Sequence, residues 1–179
     1  MIAYAITDPS TLNFQTLTTD IARFASKADM IIYRDKSTSS YRSNAQLFLE
    51  EARKYAFDMI LLHGDYQLAH KLKADGVHLT STQFEDIEKA KALGLFVVVS
   101  THTLEDMQIV DNSSADMMTF SPIFKTPNKG EPKGVELLEK AAYYASKPLI
   151  ALGGILTQEQ IEMCETCGAE GFASIRYFA

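Results

Sequence analysis

Residues 95–120 read LFVVVSTHTLEDMQIVDNSSADMMTF, and the order of their patterns decides the fold. Leu95 to Val99 is a run of apolar, largely β-branched residues that stops at Ser100-Thr101-His102-Thr103. Helical spacing follows from Leu104 to Val110, and a second apolar run, Met117 to Phe120, completes the unit. Neither run alternates with polar residues, so both are expected to be buried on two faces, as in a parallel sheet covered by helices. Thr103 stands three residues before Asp106, the spacing of a capping box with Asp in place of Glu or Gln.

The same unit recurs in both directions. Upstream lie strands Ala3–Thr7, Met30–Tyr33, Met59–Leu62 and Gly76–Leu79. They are separated by helical spacing over Leu17, Ile21 and Phe24, by Leu47–Tyr55 with Glu50 and Lys54 in the favourable i,i+4 order, and by Tyr66–Lys73. Phe84–Leu93 is a further helix, with acids first and lysines later to suit its dipole. Downstream come a helix Val135–Tyr144, a strand Leu149–Leu152, a helix capped by Thr157 that runs through Cys164, and a strand Gly171–Ile175. Eight strands alternating with seven helices point to a TIM-type (β/α)8 barrel rather than an open doubly wound sheet. With 179 residues the barrel is short, lacking most or all of its eighth helix. No linker divides it, so residues 1–179 are expected to form one domain. The missing helix would leave apolar surface beside the last and first strands. Either a homodimer or higher oligomer covers that gap, or the terminal residues fold over it.

Composition narrows the function. A net charge of -6 and a pI near 5.2 argue against general nucleic-acid binding. No apolar run reaches membrane-spanning length and MIAYAITDPS has no signal pattern, so a cytoplasmic setting is expected. The two cysteines, Cys164 and Cys167, have C-x-x-C spacing. Zinc would need further ligands, and none cluster nearby, so a shared helix face accounts for them.

Active sites of such barrels lie at the carboxyl ends of the strands. Those ends carry Asp8, Arg34, Lys36, His63, Ser81, Ser100, His102, Ser121, Gly153-Gly154 and Arg176. After the sixth strand, SPIFKTPNKGEPKG carries prolines at 122, 127 and 132, which rule out a continuous helix. It reads either as a solvated loop or as a seat for an anion, with Lys125, Thr126, Asn128, Lys129 and Lys133 on offer. Gly153-Gly154 permits close backbone approach to a phosphate, and Arg176 supplies a fork of donors. Arg34-Asp35-Lys36 either binds a ligand or satisfies itself as an ion pair. His78, mid-strand, reads as a hydrogen-bonded core histidine.

Taken together these segments resemble the thiamine phosphate synthase/TenI family. The resemblance is carried by Tyr4–Asp8, Tyr33–Lys36, Ala74–Leu79, Ser100–Glu105, Ser121–Phe124 with Thr126–Lys129, Ala151–Ile155 and Gly168–Gly171. Synthases of this family join a hydroxymethylpyrimidine pyrophosphate to a thiazole phosphate. The resemblance implies that Arg34, Lys36, Ser100 and Lys129 hold the pyrophosphate, while Thr126, Asn128 and the Gly153-Gly154 amides hold the thiazole phosphate, Asn128 replacing a threonine.

Several positions depart from the pattern. His63-Gly64 stands where synthases carry Asn-Asp, Gln83 where they carry an aspartate, Ile32 where they carry a glutamine, and Arg176 where a small serine is usual. Both Mg²⁺ carboxylates are therefore replaced, so no resident cofactor is expected and Mg²⁺ enters only with synthase chemistry. Tautomerases of the TenI branch use a histidine at the position of Pro122, leaving His63 and His102 as the candidate acid/base residues. Two functions stay open: a thiamine-pathway enzyme, and a non-catalytic binder of a small phosphate ligand.

Overall fold

The computed structural model describes residues 1–179 and holds eight parallel strands closed into a barrel in chain order. They are β1 (Ile2–Ile6), β2 (Met30–Tyr33), β3 (Met59–His63), β4 (Gly76–Leu79), β5 (Phe96–Thr101), β6 (Met117–Phe120), β7 (Leu149–Leu152) and β8 (Gly171–Ser174). Seven helices intervene: α1 (Leu17–Ala25), α2 (Tyr41–Ala52), α3 (Tyr66–Lys71), α4 (Ile87–Ala92), α5 (Leu104–Asp111), α6 (Gly134–Tyr144) and α7 (Gln158–Thr166). Ile2–Ala5 of β1 pair with Gly171–Ser174 of β8 and close the ring.

The unbroken apolar strands have a simple cause. Alternate side chains fill two different cores. Tyr4, Ile6, Met30, Ile32, Leu61, Val98, Met117, Ile150 and Ala173 fill the barrel interior. Their neighbours, such as Ile31, Leu62, Val97, Val99 and Phe172, pack outward under the helices.

A repeat at the amino end of the barrel escapes the strand pattern. Ala28-Asp29, Ala74-Asp75, Ala115-Asp116 and Ala169-Glu170 each precede an even-numbered strand, and all four alanines are buried. The first three carboxylates accept the backbone N–H of Ala3, Ile60 and Val97, each at 2.8 Å. Each acid thus ties an even strand to the odd strand before it.

Several boundaries differ from the sequence expectation. α2 begins at Tyr41 rather than Leu47, because its polar first turns hide the periodicity while Tyr41 anchors them. The Tyr41 hydroxyl donates to the Tyr33 carbonyl at 2.9 Å and accepts from the His63 amide at 2.9 Å. The Glu50–Lys54 pair is not formed: Lys54 lies beyond the helix end and binds Glu51 at 2.6 Å. The Phe84–Leu93 helix divides into a 3-10 turn, Phe84–Asp86, and α4. The Thr103/Asp106 capping box is present, and Thr157 with Gln160 forms a second one.

Past β8 the last residues fold back against β8 and α1. Phe178 is fully buried and stacks on Phe172 at 5.7 Å, with Tyr177 edge-on to both. Arg23 of α1 donates from Nε to the Phe178 carbonyl at 3.2 Å.

Candidate active site

A pocket of about 260 Å³ opens at the carboxyl ends of the strands. Arg34, Lys36, His63, Ser100, His102, Thr126, Lys129, Gly153, Gly154 and Arg176 all line it. Asn128 does not. It faces an outer recess formed by Lys125–Pro132 and Arg176, and it holds a left-handed φ of 57°. That conformation suits asparagine and strains a β-branched residue. Asp8 is also outside, bonded to the Ser10 amide at 2.9 Å.

The loop after β6 is seated on Gly153 and Gly154. Ile123 and Phe124 donate their amides to the Leu152 and Gly153 carbonyls at 3.0 and 2.9 Å. A Cβ on Gly153 would lie 2.8 Å from Pro122 Cα, and one on Gly154 would lie 2.6 Å from the Lys125 carbonyl oxygen. The glycine pair is therefore a docking seat for the loop as well as a candidate phosphate cradle. Thr126 turns its hydroxyl proton inward, donating to the Phe124 carbonyl at 2.9 Å.

Arg34 and Lys36, past β2, and Lys129, from the loop after β6, converge on the pocket. The Arg34 guanidinium lowers the Lys36 pKa, with burial and Lys129 adding to the effect. Asp35 makes no ion pair with them at contact distance: its carboxylate accepts from the Ser37 amide, the Ser37 hydroxyl and the Thr38 amide, and these bonds together with the nearby Arg34 charge hold its pKa low. The self-satisfied ion pair is thus replaced by a capped turn. No carboxylate lines the pocket. Arg176 is exposed and lines the rim, where it leaves the pocket open.

The places where the family pattern puts Mg²⁺ carboxylates are taken by a neutral bracket. Gln83 Nε2 donates to the Gly64 carbonyl at 2.8 Å, and its Oε1 accepts from the Thr80 amide at 3.1 Å. Asp65 accepts from the Leu68 amide at 2.8 Å as the cap of α3. Mg²⁺ calls for carboxylate oxygens, and this donor set does not fit it.

The histidines divide by environment. Burial, then Arg34 and Lys36, push His63 down to about 4. It is neutral at pH 7 and a weak base there. His102 Nδ1 lies 3.0 Å from the Ser121 carbonyl oxygen and 3.2 Å from its hydroxyl. His78 is a hydrogen-bonded core histidine that also reaches the pocket floor, with Tyr4 and Ser100 as partners. Tyr4 escaped the sequence reading, although its period-two spacing with Ile6, Ile32's neighbour at the pocket, places it inside the barrel.

Comparison with known proteins gives a consistent picture. A family model described as thiamine monophosphate synthase matches residues 3–178. An Aquifex aeolicus protein, provisionally named a second thiamine-phosphate synthase, is 35% identical over 123 residues, covering 67% of this chain and 66% of that one. The thiamine-phosphate synthase of Limosilactobacillus reuteri is 27% identical over 180 residues, covering 90% of this chain and 83% of that one. Among solved structures, the thiamine phosphate pyrophosphorylase of Pyrococcus furiosus matches with a TM-score of 0.82 at 23% identity, over 97% of this chain and 85% of that one. That last likeness is one of fold.

Proposed function

The chain belongs to the thiamine monophosphate synthase/TenI family, and from that membership we propose that it acts in thiamine biosynthesis on phosphorylated ligands. The carrying observation is the group of Arg34, Lys36 and Lys129, which line a pocket that no carboxylate lines. Three cations without a carboxylate in the lining suit a pyrophosphate, while the Gly153-Gly154 seat suits a second, singly phosphorylated ligand. In a synthase-type reaction the carbon–oxygen bond to pyrophosphate breaks with its electron pair leaving on oxygen. The thiazole nitrogen then gives its lone pair to the carbon. Arg34, Lys36 and Lys129 are the groups here that can receive the charge on the departing pyrophosphate.

A second reading rests on His102. Its bond to Ser121 places the ring beside Pro122, the position at which the resemblance implies a tautomerase histidine. A pocket of about 260 Å³ also suits one ligand better than two. Incubating one protein sample with each substrate set and following product by mass separates the readings. Thiamine phosphate supports the first reading; an isomerised thiazole phosphate supports the second. Saturable pyrophosphate binding without either product identifies a ligand-binding barrel. Neither binding nor product overturns the proposal. A homodimer belongs to the same proposal, with Tyr143 (82% exposed) and Tyr144 of α6 as apolar surface for a second copy and sedimentation as its check.

A further inference from the structure

A hydrogen-bonded chain crosses the otherwise apolar barrel interior beneath the pocket. The Tyr4 hydroxyl of β1 lies 2.9 Å from His78 Nδ1 of β4, and His78 Nε2 lies 3.0 Å from Ser100 Oγ of β5. The Tyr4 and His78 rings are stacked with centroids 5.7 Å apart. Tyr4 is fully buried and His78 is 4% exposed, whereas Ser100 reaches the pocket.

The chain has only two proton arrangements. If Nδ1 carried the proton, it would donate to Tyr4, and the phenol proton would be left buried without an acceptor. Ser100 would also use its own proton on Nε2. If Tyr4 donates to Nδ1, the proton sits on Nε2 and is given to Ser100 Oγ. The Tyr4 and His78 donors are then both used, and only the Ser100 proton is left over, at the pocket floor. Burial of an unpaired donor disfavours the first arrangement. Burial also raises the Tyr4 pKa and, with His63 and Arg34, lowers that of His78 to about 3, so both remain uncharged through the neutral range.

We propose that Tyr4 and His78 are positioning residues that fix the Ser100 hydroxyl as an obligate donor to an anionic ligand oxygen at the pocket floor. The inference rests on the phosphate-ligand reading of the pocket and assigns Ser100 a neutral, directional contact beside the three cations that line the same pocket. Such a contact distinguishes an oxygen at one point in the pocket, which cations on flexible stems do not.

The test is a double-mutant cycle read by calorimetry with inorganic pyrophosphate as the probe, beside nitrogen-15 NMR of the His78 ring. Wild type is expected to show the Nε2–H tautomer. Ser100→Ala is expected to weaken pyrophosphate binding about tenfold, the scale of one hydrogen bond to a charged group, and Tyr4→Phe about three- to tenfold. The double variant is expected to bind no more weakly than Ser100→Ala alone, because Tyr4 acts through Ser100. Additive losses would assign Tyr4 a structural role and overturn the proposal. So would an Nδ1–H tautomer in wild type. If wild type binds no pyrophosphate, the ligand reading fails, and the tautomer still decides whether the chain orients Ser100 as stated.

Discussion

His102 Nδ1 lies 3.0 Å from the Ser121 carbonyl oxygen, which joins the end of β5 to the end of β6. A carbonyl only accepts, so a ring that spends an Nδ1 proton on it presents Nε2 to the pocket that the ring lines, while the Ser121 hydroxyl 3.2 Å away serves the other tautomer. His102→Asn retains a donor near Nδ1 and removes Nε2. We expect its melting temperature to match wild type and turnover of whichever substrate is active to fall about 100-fold or more. Unchanged kcat in His102→Asn would remove His102 from the chemistry.

Arg34 sets the charge of the cation group, since it is the main cause of the lowered Lys36 pKa. Arg34→Ala is expected to weaken pyrophosphate binding about 10- to 100-fold, the worth of a charge-assisted contact. The same change should return the Lys36 pKa towards its ordinary value. Calorimetry and lysine NMR read the two effects separately.

Acid stability follows from the buried histidines. His78 falls to about 3 and His63 to about 4 from an ordinary value of 6.5. Between those values the unfolded chain binds more protons than the folded one, so stability falls as pH drops below 6.5 and the loss is complete near the folded values. His78 alone should cost about 2 kcal/mol between pH 7.5 and pH 5, with His63 acting in the same direction. Urea titrations at the two pH values measure this. A flat profile would mean that these rings are not held neutral.

The barrel was legible because its strands are short apolar runs whose ends are marked by charge, hydroxyl or glycine. Met30–Tyr33, Gly76–Leu79, Met117–Phe120 and Leu149–Leu152 begin and end where the pattern says. The start of α2 was not legible, since Tyr41-Arg42-Ser43-Asn44 shows no helical apolar stripe and its anchor is a long-range bond from Tyr41. Most candidate pocket residues could be found because a barrel gathers strand ends by topology. Asn128 was expected in the pocket but sits in the outer recess with a left-handed backbone, and Tyr4 was missed because its partner His78 lies 74 residues away on another strand.

Gly154 tests the seat of the β6–α6 loop. It has a φ of +71°, and an added Cβ would meet Lys125 O at 2.6 Å and the Phe124 carbonyl carbon at 2.8 Å. Gly154→Ala is expected to cost about 1–3 kcal/mol, with roughly 2–4 °C of melting temperature per kcal/mol. Gly94 has a φ of +80° with nothing within 4 Å, so Gly94→Ala isolates the backbone strain from the clash. Equal losses in the two variants would show that the loop is not seated on Gly154.

Phe178 is the remaining test, because it joins β8 to α1. Its ring is fully buried against Phe172, and its carbonyl is held by Arg23 of α1. Removing it uncovers the outer face of β8. Phe178→Ala is therefore expected to cost about 3 kcal/mol in urea unfolding. The uncovered apolar face should also raise the sedimentation mass of the variant with concentration. A Phe178→Ala protein as stable as wild type would mean that another element, such as a second copy of the chain, already covers β8 in solution.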